Sequence, residues 1–265
     1  MVAHASRPFP KGGMLCYGGA SGAREGNAMK PGSLKFVYAV AATALIAWPA
    51  LADDDLGSLS GSVALTSDYR FRGISQNDTD PAAQASLNWS GPYGFYVGSW
   101  ASKINFNDGP SGAFTAHHNS SVEWDIYGGK HIDIAGSDLN IEAYYYAYPD
   151  HSGFPGTADY SYFEAIAALS HTFDQLTLTG SVAVSPDYFG GTGTGVWIGG
   201  TASYVLNDWV SLSGNIGRQW VEDLNNAGTG YPYTHWDLGA TATWNNISLD
   251  IRYIDTDISK STCEG

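Results

Sequence analysis

From Gly57 onward apolar residues recur at every second position, and few folds accept such a pattern. A period of two sends alternate side chains to opposite faces of a β-strand, whereas an amphipathic helix repeats at 3.6. In 58–72, Leu59, Val63, Leu65, Tyr69 and Phe71 alternate with Ser58, Ser60, Ser62, Thr66, Asp68, Arg70 and Arg72. In 82–90, Ala83, Ala85, Leu87 and Trp89 alternate with Gln84, Ser86 and Asn88. In 119–130, Val122, Trp124 and Ile126 alternate with Glu123, Asp125 and Tyr127. In 175–186, Leu176, Leu178, Val182 and Val184 alternate with Thr177, Thr179, Ser181 and Ser185. In 246–257, Ile247, Leu249, Ile251 and Tyr253 alternate with Ser248, Asp250 and Arg252. Less clean segments lie near 93–104, 137–148, 160–171, 194–206, 209–219 and 234–245. The expectation is eleven strands of about ten residues, the length with which a tilted strand crosses a bilayer.

The connections between these segments sort by length. Those at 73–81, 105–118, 149–159 and 220–233 are long, and 187–193 is intermediate. Those at 90–92, 172–174, 207–208 and 245–246 are short; 131–136 departs from the alternation. Short turns at one end and long loops at the other characterise an up-and-down outer-membrane barrel. A soluble β-sandwich has no reason to sort its loops. The fold expected is therefore an all-β, antiparallel, up-and-down transmembrane β-barrel, with a soluble exported β-barrel that binds a ligand as the alternative.

The N-terminal stretch reads as an address. Lys30 and Lys35 precede an apolar run at 36–48, and Ala50-Leu51-Ala52 supplies a small-x-small cleavage site. This is the pattern of a secretory signal peptide at 29–52, and the run is too short for a membrane-spanning helix. Residues 1–28 read as an upstream extension from a mis-assigned start, leaving 53–265 as one barrel domain. The expected location is the outer membrane of a Gram-negative bacterium. Outer-membrane lipid, the barrel-assembly machinery and small solutes are the expected partners.

Composition narrows the function. Of 12 bases and 26 acids, five and one lie in 1–52, so the remainder carries 7 against 25, a net charge of −18. Such a chain is no nucleic-acid binder working through a basic surface. Its 14% aromatic content excludes disorder. Two cysteines, Cys16 and Cys263, make neither a disulfide scaffold nor a cysteine-rich zinc site.

Eleven strands conflict with the even number found in single-chain bacterial barrels. A twelfth strand, expected after Cys263, is the one missing. The segment Ser67-Asp68-Tyr69-Arg70-Phe71-Arg72-Gly73-Ile74-Ser75-Gln76 resembles the opening signature of the TorF-type porin family, also named Gcw_chp. Three later stretches are similar to that family too: GFYVGSWAS at 94–102, SPDYFGG at 185–191 and LDIRYIDTD at 249–257. The resemblance covers about 57–263 and implies an exported outer-membrane barrel of porin type. It supplies no substrate and no catalytic set, and it implies a final strand ending in an aromatic residue, which this sequence lacks.

Following the two-residue period, the polar face carries Asp68, Glu123, Asp125, Glu142, Glu164, Asp187, Asp237 and Asp250, with Arg70, Arg72, Lys103 and Arg252. Eight acids against four bases could line a narrow water path that favours cations, or lock into a salt-bridge network that fills the interior. The first reading is a passive pore for small solutes. The second is a plugged structural or enzymatic barrel, with His235 and Asp237 as its only acid–base pair. No catalytic residue, metal ligand or cofactor is assigned, and no enzyme activity is expected. His117-His118 and Asp150-His151 read as solvated loop residues, and the glycine-rich run 189–195 as a turn. Asp78, Asp80, Asp108, Asp150, Asp159, Glu222 and Asp223 make the long connections acidic.

Overall fold

In the computed structural model, residues 39–43, 56–106, 120–149, 160–222 and 232–258 are described. The expectations for 1–28, for most of 29–52, and for Asp108, His117, His118, Asp150, His151, Asp159, Asp223 and Cys263 fall outside them. Fourteen strands follow in chain order: β1 (Ala39–Thr43), β2 (Ser58–Thr66), β3 (Arg70–Phe71), β4 (Ile74–Ser75), β5 (Ala82–Ser90), β6 (Phe95–Phe106) and β7 (Ser120–Ile134). Then come β8 (Ser137–Ala147), β9 (Tyr162–Phe173), β10 (Leu176–Ser185), β11 (Gly195–Asn207), β12 (Val210–Val221), β13 (Tyr233–Trp244) and β14 (Ile247–Thr256).

β2 and β5 to β14 are the eleven long strands the periodicity predicts, paired in order as one antiparallel sheet. β2 and β14 end that sheet and do not pair with each other; β1 lies between them. Ala39–Thr43 pairs antiparallel with 248–252, while Ala41 and Ala42 also meet Thr66 and Leu65. With β1 the ring closes as a twelve-strand barrel. The twelfth place is thus filled by part of the N-terminal apolar run. Open edges leave unpaired N–H and C=O groups; this segment covers 248–252 of β14 and Leu65 and Thr66 of β2.

Two expectations about segments change. The strand expected over 58–72 ends at Thr66, and β3 and β4 form a separate small hairpin. The connection expected at 131–136 shrinks to Ala135-Gly136, because β7 runs on to Ile134. Both turn residues have positive φ, 53° and 82°, as a two-residue hairpin turn of the right twist demands. The alternation of long and short connections is therefore regular.

Parity sorts the faces. Outward positions carry aliphatic residues at mid-strand, such as Leu87, Val97, Ile126, Ile141, Leu169, Ile198, Ile216 and Leu238, all exposed. Exposed aromatics flank them: Trp89, Phe95, Phe173, Trp209 and Trp244 near the short turns, and Trp124, Tyr145, Phe163 and Trp220 near the long connections. Lys103, expected on the inner face, is exposed and pairs with outward Val122. Its neighbours Ser102 and Ile104 are the buried, inward ones. Asp187 is also not on the wall: it lies exposed in the β10–β11 loop, accepting a hydrogen bond from the Gly193 N–H at 3.2 Å.

Candidate functional site

The inner wall is polar near the short turns and crowded near the long connections. Ser60, Ser62, Ser86, Asn88, Thr243 and Ser248 border a cavity of about 340 Å³ near the short turns. At the opposite end, the mouth, the connection 67–81 folds into the barrel instead of outward. The β3–β4 hairpin turns at Arg72-Gly73, both with positive φ, 47° and 85°. Left-handed backbone is uncommon at arginine and costs on the order of 1–2 kcal/mol. Such a cost persists where surrounding contacts fix the conformation.

Those contacts are dense. Asp68 accepts from Ser75 Oγ and pairs with Arg70 Nε, each at 2.6 Å, which closes the base of the hairpin. Arg70 Nη1 also donates to the Gly73 carbonyl at 3.1 Å. Tyr69 donates its hydroxyl to Glu123 of β7 at 3.2 Å. Phe71 meets the Tyr146 ring of β8 edge-on at 5.6 Å. Arg72 spans the lumen: Nη1 and Nη2 reach the two Glu164 oxygens of β9 at 2.9 and 2.8 Å, a bidentate pair. Nη1 also donates to Gln219 of β12 at 2.7 Å, and the guanidinium lies 5.0 Å from the Trp197 ring centre of β11. One ten-residue motif therefore ties the hairpin to five wall strands.

Gly73 is required twice over. Its φ of +85° suits glycine, and an added Cβ would stand 2.5 Å from Thr256 Cγ2 and 2.8 Å from His235 Cβ. Gly73→Ala is expected to lift the hairpin off the wall. Limited proteolysis of 67–81 checks this, with faster cleavage than in the unaltered protein as the expected result.

An aromatic layer covers the hairpin. Phe106, Tyr148, Tyr160, Tyr162 and Phe189 interlock, with Tyr160 and Phe189 stacked at 4.7 Å. Tyr188 joins them against Tyr162 at 4.8 Å, and burial pushes its hydroxyl above the ordinary phenol range, so it remains neutral. Glu222, at the rim, accepts from the Thr194 N–H at 3.0 Å, and that hydrogen bond holds its carboxyl below the usual range.

The other site residues expected from sequence divide into groups. Glu123 and Asp125 sit together on β7, each 1% exposed. Glu142 takes hydrogen bonds from Tyr96 at 2.5 Å and from Asn140 at 3.3 Å. Arg252 pairs with Asp237 and Asp250 and donates to Ser213 at 2.9 Å, forming a separate patch on β12–β14. His235 and Asp237 share a face but serve other partners. Trp197 Nε1 donates to His235 Nε2 at 2.9 Å, while Asp237 holds Arg252. Sequence reasoning did not single out Tyr69, Trp100, Tyr144, Tyr146 or Gln219. The available signal was parity: Tyr144 and Tyr146 share that of Glu142.

This is a curled antiparallel β-sheet closed into a barrel, with a signature-bearing hairpin seated in its mouth. Residues 54–265 match the model of the Gcw_chp family, described as bacterial protein of unknown function, and the chain belongs to that family. No curated protein matches it.

Proposed function

We infer that the chain is an outer-membrane barrel through which small solutes pass by a narrow path constricted by the 67–81 hairpin. The observation that carries this reading is the inversion of the faces. Exposed aliphatic side chains form a belt edged with aromatics, and ionisable side chains concentrate inside. Water-soluble proteins rarely expose apolar patches beyond a few hundred Å², whereas lipid-facing strands require such a belt. Outward charges among the described residues, such as Lys103, Lys130, Arg218 and Asp255, sit toward strand ends, where long side chains reach a membrane interface. The sorted connections support the same reading. Orientation follows from it: short turns in the periplasm, the hairpin mouth outside.

Inside, Glu123, Asp125, Glu142, Glu164, Asp237 and Asp250 outnumber Arg70, Arg72 and Arg252, so the path favours cations and neutral solutes. The test is conductance of the reconstituted protein in a planar bilayer. Small cation-preferring currents are expected, and Glu123→Gln combined with Asp125→Asn lowers the cation preference. Background-level current from folded protein, with the hairpin displaced as well as seated, contradicts the reading.

A further inference from the structure

Two rings form a plate on the inner wall beneath the hairpin. Trp197 of β11 lies across Gly199 and Gly217, inward residues that are partners on β11 and β12. Its Nε1 reaches His235 of β13, the next residue along that row, and donates to Nε2 at 2.9 Å. The two ring planes differ by 18°, so the bond runs nearly within both. The glycines make it possible. A Cβ at position 217 would stand 2.5 Å from Trp197 Nε1 and 2.6 Å from His235 Nε2, and one at position 199 would run into the Trp197 ring.

The tip of the hairpin rests on this plate. The Arg72 guanidinium lies 5.0 Å from the Trp197 ring centre. Gly73 comes so close that a Cβ on it would stand 2.8 Å from His235 Cβ. His235 is 5% exposed.

The bond from Trp197 fixes the protonation of the histidine. An indole N–H only donates, so Nε2 must offer a lone pair, and the ring is neutral with its proton on Nδ1. A second proton has to bind at Nε2. It would cancel the Trp197 bond and place a cation beside Arg72. Among the described residues no free carboxylate faces that cation. On β13, Asp237 is held by Arg252, and Tyr233 brings no charge. From the hairpin comes Arg72, whose own carboxylate is Glu164. β12 presents Gly217 and Gln219, and β14 presents Thr256, all uncharged. Asp255 of β14 is exposed on the outer face, where Tyr253 donates to it at 2.6 Å. A seated hairpin therefore excludes a proton that a displaced one admits, and by linkage acid favours the displaced state.

We propose that His235 is an acid-operated latch: a proton at Nε2 breaks the bond from Trp197 and releases the β3–β4 hairpin from the wall. This deepens the reading of the lumen as a solute path by giving it a regulator. The release is measured without conduction, so either idea can fail alone. With the displaced ring titrating as a free histidine, at about pH 6.5, a drop from about pH 7.5 to about pH 5 moves the ratio of displaced to seated hairpin by as much as about thirtyfold.

The test is proteinase K digestion of the full chain folded in detergent micelles at those two pH values, each rate scaled to that of an unfolded reference peptide. Cleavage within 67–81 should accelerate at least about fivefold in acid. His235→Gln should abolish the acceleration while the heat-dependent gel shift of a folded barrel is retained, because a glutamine oxygen accepts from Trp197 and takes no proton in this range. Protons on Glu123 and Asp125, at the other flank of the hairpin, relieve like-charge repulsion and act in the opposite sense; this variant leaves them in place. His171→Gln, at a site near the short turns where the ring bonds to Ser137 at 2.9 Å, should keep the full acceleration. Bilayer conductance should rise along with cleavage. Acid-accelerated cleavage with only background current supports the latch and contradicts the solute path. If His235→Gln does not fold, the indole N–H resonance of Trp197, assigned by its loss in Trp197→Phe, replaces it and should shift with the pH midpoint of cleavage. Equal cleavage at the two pH values, undiminished acceleration in folded His235→Gln, or an indole resonance that stays in place across the step overturns the proposal.

Discussion

Arg72→Ala is expected to open the mouth and to destabilise the barrel. The guanidinium holds both oxygens of Glu164, which is 1% exposed, and also Gln219. Removing it leaves a buried carboxylate uncompensated, a change that costs about 3–5 kcal/mol. It also frees a turn whose arginine sits at φ 47°. With its anchor gone, the hairpin keeps the contacts of Tyr69 and Phe71, the Asn105 N–H bond to the Gln76 carbonyl at 2.9 Å and its local hydrogen bonds. Two readouts separate the effects. Urea unfolding in detergent should shift to lower denaturant, and bilayer conductance should rise above that of the unaltered protein. Adding Glu164→Gln should recover part of the stability, because the lone charge is removed, while conductance stays high. Unchanged conductance in a folded Arg72→Ala protein would mean the hairpin is not the constriction.

Leu238→Arg gives the second large effect, and its size depends on what surrounds the barrel. Leu238 is 66% exposed at the middle of β13. On a water-soluble protein such a substitution stays within about ±0.5 kcal/mol. At the midplane of a bilayer an outward arginine costs about 2–4 kcal/mol. Refolding into lipid vesicles should therefore be impaired strongly, whereas Trp244→Arg, near the short turns, should be tolerated far better. Equal tolerance at both positions would argue for water outside the barrel.

Much of the fold could be read from parity. In stretches such as 84–90 and 248–252 the lumen-facing row is Gln, Ser, Asn, Asp and Arg, so polarity and face coincide. At the mouth they part company. Ile104, Phe106, Tyr146 and Tyr162 point inward and are buried, so apolar character no longer marks the outer face. Lys103 was misplaced for that reason. The hairpin was hidden differently. Asp68, Arg70 and Arg72 continue the alternation of Ser62, Ala64 and Thr66 without interruption. Only the Arg72-Gly73 turn, with its left-handed backbone, separates a strand that continues from one that folds back. The closing partner was illegible because the apolar run at 36–48 satisfies an export pattern, and the pairing of Ala39–Thr43 with β2 and β14 depends on contacts distant in sequence. The charged set was legible as a list and not as a network. Arg72 and Glu164 are far apart in the chain, and only the barrel brings them within 2.8 Å.

The most direct measurement is the mobility of the protein from isolated outer membranes, compared with and without boiling. A membrane-located protein whose unboiled form migrates differently is the expected result, since a closed barrel resists detergent until heated. A protein released to the soluble periplasmic fraction, with one mobility under both conditions, would contradict a membrane barrel.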